Sequence, residues 1–286
     1  MSAEAKSGSG PSVGAGGETP PQGPRTGPNA SARLGTLAWA ERSGGILSRR
    51  ERIGLLGDAA RLQMRILPAQ TRALLGRTNS RAFSVDPDRL RVPDTMIARE
   101  AEALSSEVYP QALLNHCLRS YAWGTILAHR DGLEHDPELL YVTCLLHDLG
   151  VSDRYRDTVA GQSCFAATGA TVARDWSRGQ GWRESRFTAL ADAICQHLNP
   201  QVRPEHGIEA HLVQAGAGFD VVGVRHWEVA TPTVQAVLAR HPRVGFKKSF
   251  GSAMCAQADQ HHGTRTHFLF RYMQFGARIQ RAPYDD

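Results

Sequence analysis

Apolar residues recur along this chain three and four apart, while the strict alternation of a half-buried strand is scarce and no internal repeat is visible. The clearest run, YVTCLLHDLG at 141–150, is apolar up to His147 and Asp148 and is closed by Gly150. Asp136 and Pro137 stand where an N-cap and a first helical residue belong, so the run predicts a helix of about three turns ending on His147 and Asp148. A second helix is predicted from QALLNHCLRSYAWGTILA, with Leu114, Leu118, Tyr121 and Ile126 among its apolar positions and His116 one turn in. Further helices are read at 164–176, 184–198, 208–215 and 234–240, the last opened by Thr231-Pro232. In SRRERIGLLGDAARLQMRILPAQTRALLG, residues Ile53, Leu56, Leu62, Ile66 and Leu67 stand at roughly helical spacing with arginines between them, and Pro68 is expected to break the helix. The pattern as a whole predicts an all-α bundle.

Composition divides the chain into three parts. Residues 1–32 are rich in Gly, Pro, Ser and Ala, too poor in large apolar groups to offset chain ordering, and are expected to be disordered. Residues 33–91 hold 12 arginines, no lysine and five acids, a charge of +7 that exceeds the overall +5. This extension reads as an amphipathic helix packed on its own domain with a solvated arginine face; without aromatic interleaving or zinc-finger spacing, no nucleic-acid partner is expected. Residues 92–286 carry −2 and make the main domain with C-terminal helices. The five cysteines form no C-x-x-C pair, and four lie in apolar helical runs, which suits buried thiols in a cytoplasmic protein. No run of 18 apolar residues occurs, so no membrane span is expected, and the N-terminus lacks the hydrophobic core of a signal peptide.

The candidate chemistry lies in His116, the adjacent pair His147 and Asp148, and Asp220, which together can supply imidazoles and carboxylates to one metal ion. Asp220 follows the small-residue stretch of HLVQAGAGFDVVG, where neighbouring backbones can approach closely. The bland alternatives are a satisfied core histidine and, for Asp220, an ordinary turn residue or cap. Histidines at 206 and 211 are spaced onto different helix faces, and His261, His262 and His267 read as exposed residues near the C-terminus.

The ordered string His116, His147-Asp148, Asp220, with H-D-L-G at its centre, resembles the HD superfamily of metal-dependent hydrolases and lyases. More narrowly, VPDTMIAREAEAL, NHCLRSYAWG, LLYVTCLLHDLG, CFAATGA, AICQHLNP and HLVQAGAGFDVVG, spanning roughly residues 92–245, are similar to its cyanamide hydratase-like branch. The resemblance implies an all-α HD-type bundle, with His116, His147, Asp148 and Asp220 as metal ligands. Two-metal members of the superfamily add two histidines between the pair and the final Asp; here Phe165 takes the first place and His197 the second, which implies a mononuclear centre. The ion implied is zinc, with iron or manganese as alternatives.

The same resemblance implies that hydroxide from water bound to the metal attacks a nitrile carbon, turning cyanamide into urea or hydrolysing a related C–N compound. Asp148 is expected to accept the water's proton and His197 to relay it, the bland reading of His197 being a residue at a helix C-terminus. Arg119 and Phe165 are the expected substrate contacts, though Arg119 is also placed to orient a carboxylate and Phe165 to act as a pocket wall. Asp153, Asn115 and Gln214 are weaker candidates of the same kind. The expected partner is a small-molecule substrate, and a homo-oligomer is compatible with this reading. Phosphohydrolase, di-iron oxygenase and non-catalytic small-molecule sensor are the competing functions.

Overall fold

The helices that carry the candidate ligands bury most of their residues and sit at the centre of the molecule. The structure is a computed structural model that describes residues 1, 32–75, 82–86, 90–161 and 163–286; the tail expected to be disordered lies almost wholly outside them. Among the described residues there are twelve α-helices and no strand, only isolated bridges at Ile46–Thr264 and Phe83–Val229. Residues 32–286 form one compact unit that includes the basic extension.

α1 (Leu37–Ser43) and α2 (Arg49–Leu74) come from that extension, followed by α3 (Met96–Val108), α4 (Gln111–Asp131) and α5 (Pro137–Leu146). α6 (Phe165–Gly179), α7 (Glu184–Gln196) and α8 (Ile208–Val222) complete the central packing, and α9 (Thr231–Arg240), α10 (Phe246–Gln260), α11 (Arg265–Met273) and α12 (Phe275–Gln280) close the chain. In α5 every residue from 139 to 146 is buried, as expected of a helix without a polar face. Its start is fixed twice: Pro137 sits at the first position and the Asp136 side chain accepts the Leu139 N–H at 3.0 Å. Arg186 on α7 pairs with Asp136 and with Glu138, at 2.6 Å to the latter, and so ties α7 to the same end.

α4 makes its most extensive packing with α8, and two glycines let the backbones meet. A Cβ on Gly216 would fall on the Ser120 carbonyl, and one on Gly124 would lie 3.0 Å from the Leu212 carbonyl. This contact explains why α8 runs to Val222 instead of ending near 215. Gly216 and Gly218 weaken the helix locally, but burial against α4 and a left-handed Gly223 cap hold it, so Asp220 lies within its last turn. Gly150 performs a similar service after α5: the backbone of Phe165 and Gly169 packs where its Cβ would stand.

α2 also departs from the expected pattern, because the helix continues through Pro68. Pro68 and Met64, the residue whose carbonyl it leaves without a helical partner, are both exposed, so water can serve that carbonyl. Leu55 and Ala59 are the buried positions of α2; Leu62 and Ile66 are half-buried, whereas Ile53, Leu56 and Leu67 face solvent along with Arg61 and Arg65.

Candidate metal centre

His116 lies on the face of α4 turned to α8, and Arg119 and Trp123 follow it at the three- and seven-residue spacing that keeps them on that face. His147 is the C-cap of α5, and Asp148 begins the short 3₁₀ turn Leu149–Val151 with φ −105° and ψ 14°. The helix therefore loosens where the pair sits, and both side chains turn to the same point.

Hydrogen bonds fix the imidazole tautomers. A backbone carbonyl can only accept, so His147 must carry its proton on Nδ1, 2.7 Å from the Cys144 oxygen, and His197 must do the same at 2.6 Å from the Ile194 oxygen. His116 Nδ1 lies 2.8 Å from the Asp220 carboxylate. Burial acts to raise the Asp220 pKa, but Arg119 and the His116 hydrogen bond outweigh it and hold the carboxyl far below its usual range. The ionised Asp220 thus accepts from His116 Nδ1–H. Burial also lowers the pKa of His116, opposed by Asp220, and that of His197 to about 3, with His147 contributing to the latter. His197 is therefore neutral at neutral pH, which revises the expectation of a group titrating there.

Every Nε2 left over is consequently a lone pair. His116 Nε2 and His147 Nε2 stand only 3.2 Å apart, and Asp148 Oδ2 is 3.7 Å from the first and 3.4 Å from the second. His197 Nε2 approaches Asp148 Oδ1 at 3.8 Å. Both Asp148 oxygens are buried without a hydrogen-bond donor. Acceptors converging on one buried point repel one another unless a cation lies between them. Ligand atoms about 2.0–2.1 Å from one zinc ion at a tetrahedral angle would stand about 3.3 Å apart, so the spacing fits. Among the described residues this cluster, His116, His147 and Asp148, is the group able to hold a metal.

Asp220, expected as the fourth ligand, is not brought into that cluster. Its oxygens face the other way, accepting Arg119 Nε at 2.7 Å and Nη2 at 2.9 Å, Trp123 Nε1 at 3.2 Å and His116 Nδ1. Arg243 Nη1 adds a contact at 3.1 Å and donates to the Asp220 carbonyl at 2.8 Å.

Arg119 accordingly does not reach substrate space: it is fully buried, and its remaining Nη1 donates to the carbonyls of His241 and Pro242. Phe165 does line the cavity in front of the cluster, with its ring 5.8 Å from that of His197. Gln214 lines it too. Asp153 is exposed and paired with Arg156, and Asn115 donates to the Pro242 carbonyl, so neither faces the cavity. Sequence reasoning missed Arg243, which follows α9 in a segment with no chemical signature, and the role of Trp123, which the spacing from His116 does signal.

Residues 113–237 match the HD domain family, a span that contains every residue of the cluster. That stretch of the chain is an HD domain. Two yeast proteins, the cyanamide hydratases DDI2 and DDI3 of Saccharomyces cerevisiae, are each 25% identical to it over 166 residues, covering 57% of this chain and 72% of each relative. The HD domain supplies the cluster, while part of the cavity wall comes from outside the matched span, from α2 and from α10 to α12. No helix among the described residues is long and apolar enough to cross a membrane.

Proposed function

We propose that this HD-domain protein is a metal-dependent hydratase that adds water to the carbon of a small nitrile such as cyanamide, giving urea, with hydrolysis of a related C–N compound as a variant of the same chemistry. The observation that carries this reading is the buried Asp148 carboxylate without a donor, set against two imidazole lone pairs. His116, His147 and Asp148 would hold one divalent ion; two imidazoles and a carboxylate serve catalytic zinc and non-haem iron alike, and zinc is the ion proposed here. A zinc ion there would supply Lewis acidity, lowering the pKa of water toward 7 and polarising a nitrile.

The protein's own groups do the rest. Asp148 Oδ1 points toward His197 Nε2 and serves as the proton acceptor for the attacking water. His197, anchored through Nδ1 to the Ile194 carbonyl, receives a hydrogen bond at Nε2 and orients the water instead of storing a proton. Asp220 acts through His116: it fixes the ring and raises the basicity of Nε2, the part a carboxylate plays behind a metal-binding histidine. Arg119, Trp123 and Arg243 in turn hold Asp220. Phe165 closes the cavity next to His197 and keeps competing water away.

A phosphohydrolase reading is weaker because Arg278 is the single Lys or Arg among the described lining residues, and it is exposed. Four buried free thiols, Cys117, Cys144, Cys164 and Cys195, support a reducing compartment such as the cytoplasm as part of the same proposal. The test is urea formation from cyanamide by the zinc-loaded protein and its Asp148→Asn variant. Turnover by the native chain, reduced at least 100-fold in the variant, is expected. A fully active Asp148→Asn protein would remove Asp148 from the chemistry.

A further inference from the structure

The cavity in front of Asp148 is larger and more apolar than cyanamide needs. Its volume is about 140 Å³, close to that of an engineered apolar cavity of about 150 Å³ that stays dry and admits benzene. Cyanamide has three heavy atoms and two strongly polar ends, so it would fill a minor part of this space and leave its amino group without a partner. The apolar walls include Leu62 and Ile66 of α2, Met254 of α10, Met273 and Phe275, with Phe250 beside His116 at 5.5 Å between ring centroids.

Apart from the cluster, His197 and the exposed Arg278, the polar lining side chains are already engaged in part. The Gln63 amide donates to Gln70 at 3.0 Å, Asn199 to the Leu34 carbonyl at 3.2 Å, and Gln214 to the Pro200 carbonyl at 3.3 Å. Asn199 Oδ1 already accepts from Arg265 at 3.1 Å. An amino, hydroxyl or phosphate group set against Leu62, Ile66 and Met254 would lose hydration and gain few partners, whereas an apolar group there would gain from burial.

We infer that the cavity selects a nitrile bearing an apolar group of about benzene size in preference to cyanamide, and that α2 is the wall that makes the selection. The inference rests on the proposed hydration for the reacting group and goes beyond it in naming the substrate class. The nitrile carbon sits at the Asp148 end, and the apolar substituent extends to Leu62 and Ile66. The water oxygen bonds to the carbon as one π bond of C≡N breaks. The nitrogen takes that electron pair with a proton from the water, and a second proton shift from oxygen to nitrogen gives the carboxamide. Nothing is oxidised and no group leaves. The basic extension thereby acquires a role: its arginines keep α2 soluble on the outside while its inner face closes the site.

The experiment compares benzonitrile with cyanamide as substrates of the full, zinc-loaded chain and of its Ile66→Trp variant, and measures binding of benzene itself by ligand-observed NMR. A larger kcat/KM for benzonitrile than for cyanamide is expected. Ile66→Trp, which narrows the cavity at the α2 wall, should move the benzonitrile-to-cyanamide ratio at least tenfold toward cyanamide, within the roughly 10- to 200-fold that small changes in an apolar pocket produce. Benzene should bind the native chain and not the variant. A preference for cyanamide that Ile66→Trp leaves unchanged, or an absence of benzene binding, would overturn the inference. If neither nitrile is hydrated but benzene binds and Ile66→Trp abolishes it, the proposed reaction fails while the apolar selection by α2 stands.

Discussion

Asp220 accepts from His116 Nδ1–H on the side of the ring away from the converging lone pairs. As a direct ligand it would be as indispensable to the ion as His147; behind His116 it would tune a ligand instead. The two roles separate in Asp220→Asn, which keeps the shape but removes the charge that His116, Arg119 and Arg243 share. Metal retention with affinity lowered roughly 10- to 100-fold is expected from a partner of a ligating histidine, measured by competition with a chromogenic chelator while circular dichroism confirms folding. Complete loss of metal from a folded variant would make Asp220 a ligand. His147 and Asp148 were legible because Asp136-Pro137 fixes the start of α5 and so the position of its end, and His116 because it stands one turn into the apolar pattern of α4. The direction of the Asp220 carboxylate was not, since it is decided by Arg119, Trp123 and Arg243, and the last of these joins the others only through tertiary packing.

At the level of elements, the close approach of α4 and α8 is what brings Asp220 to His116. The small-residue stretch at 215–218 announced that approach, but low helix propensity obscured that the same stretch is helical. Replacing Gly216 with Ala tests which effect dominates. Helix propensity favours the change by about 1 kcal/mol, whereas the new methyl must displace the Ser120 carbonyl, an overpacking cost of about 1–3 kcal/mol. Net destabilisation in urea denaturation is expected for Gly216→Ala. Gly54→Ala, with nothing near its Cβ on α2, should be neutral or stabilising by up to about 1 kcal/mol. Equal gains at both sites would show that the helices are not in close contact. The continuity of α2 through Pro68 was hidden for a related reason: proline removes a donor and crowds the preceding turn, and only the exposure of this stretch lets water serve the Met64 carbonyl it frees.

Across the whole molecule, the central helices and the outer ones divide the work. The all-α architecture was readable from helical spacing alone, and the cluster from the order of His, His-Asp and Asp along the chain. The cavity wall was not, because Leu62, Ile66, Phe250 and Phe275 carry no chemical signature and meet only when the extension and the last three helices fold over the centre. What unites these parts is one buried point where lone pairs meet without a donor, and the central claim is that a divalent ion belongs there. Elemental analysis of protein purified without chelators or tag histidines, alongside His147→Ala, tests it directly. About one zinc per chain in the native protein and almost none in the variant is the predicted result. Two irons per chain, or a folded native protein that neither contains nor takes up a divalent ion, would contradict it.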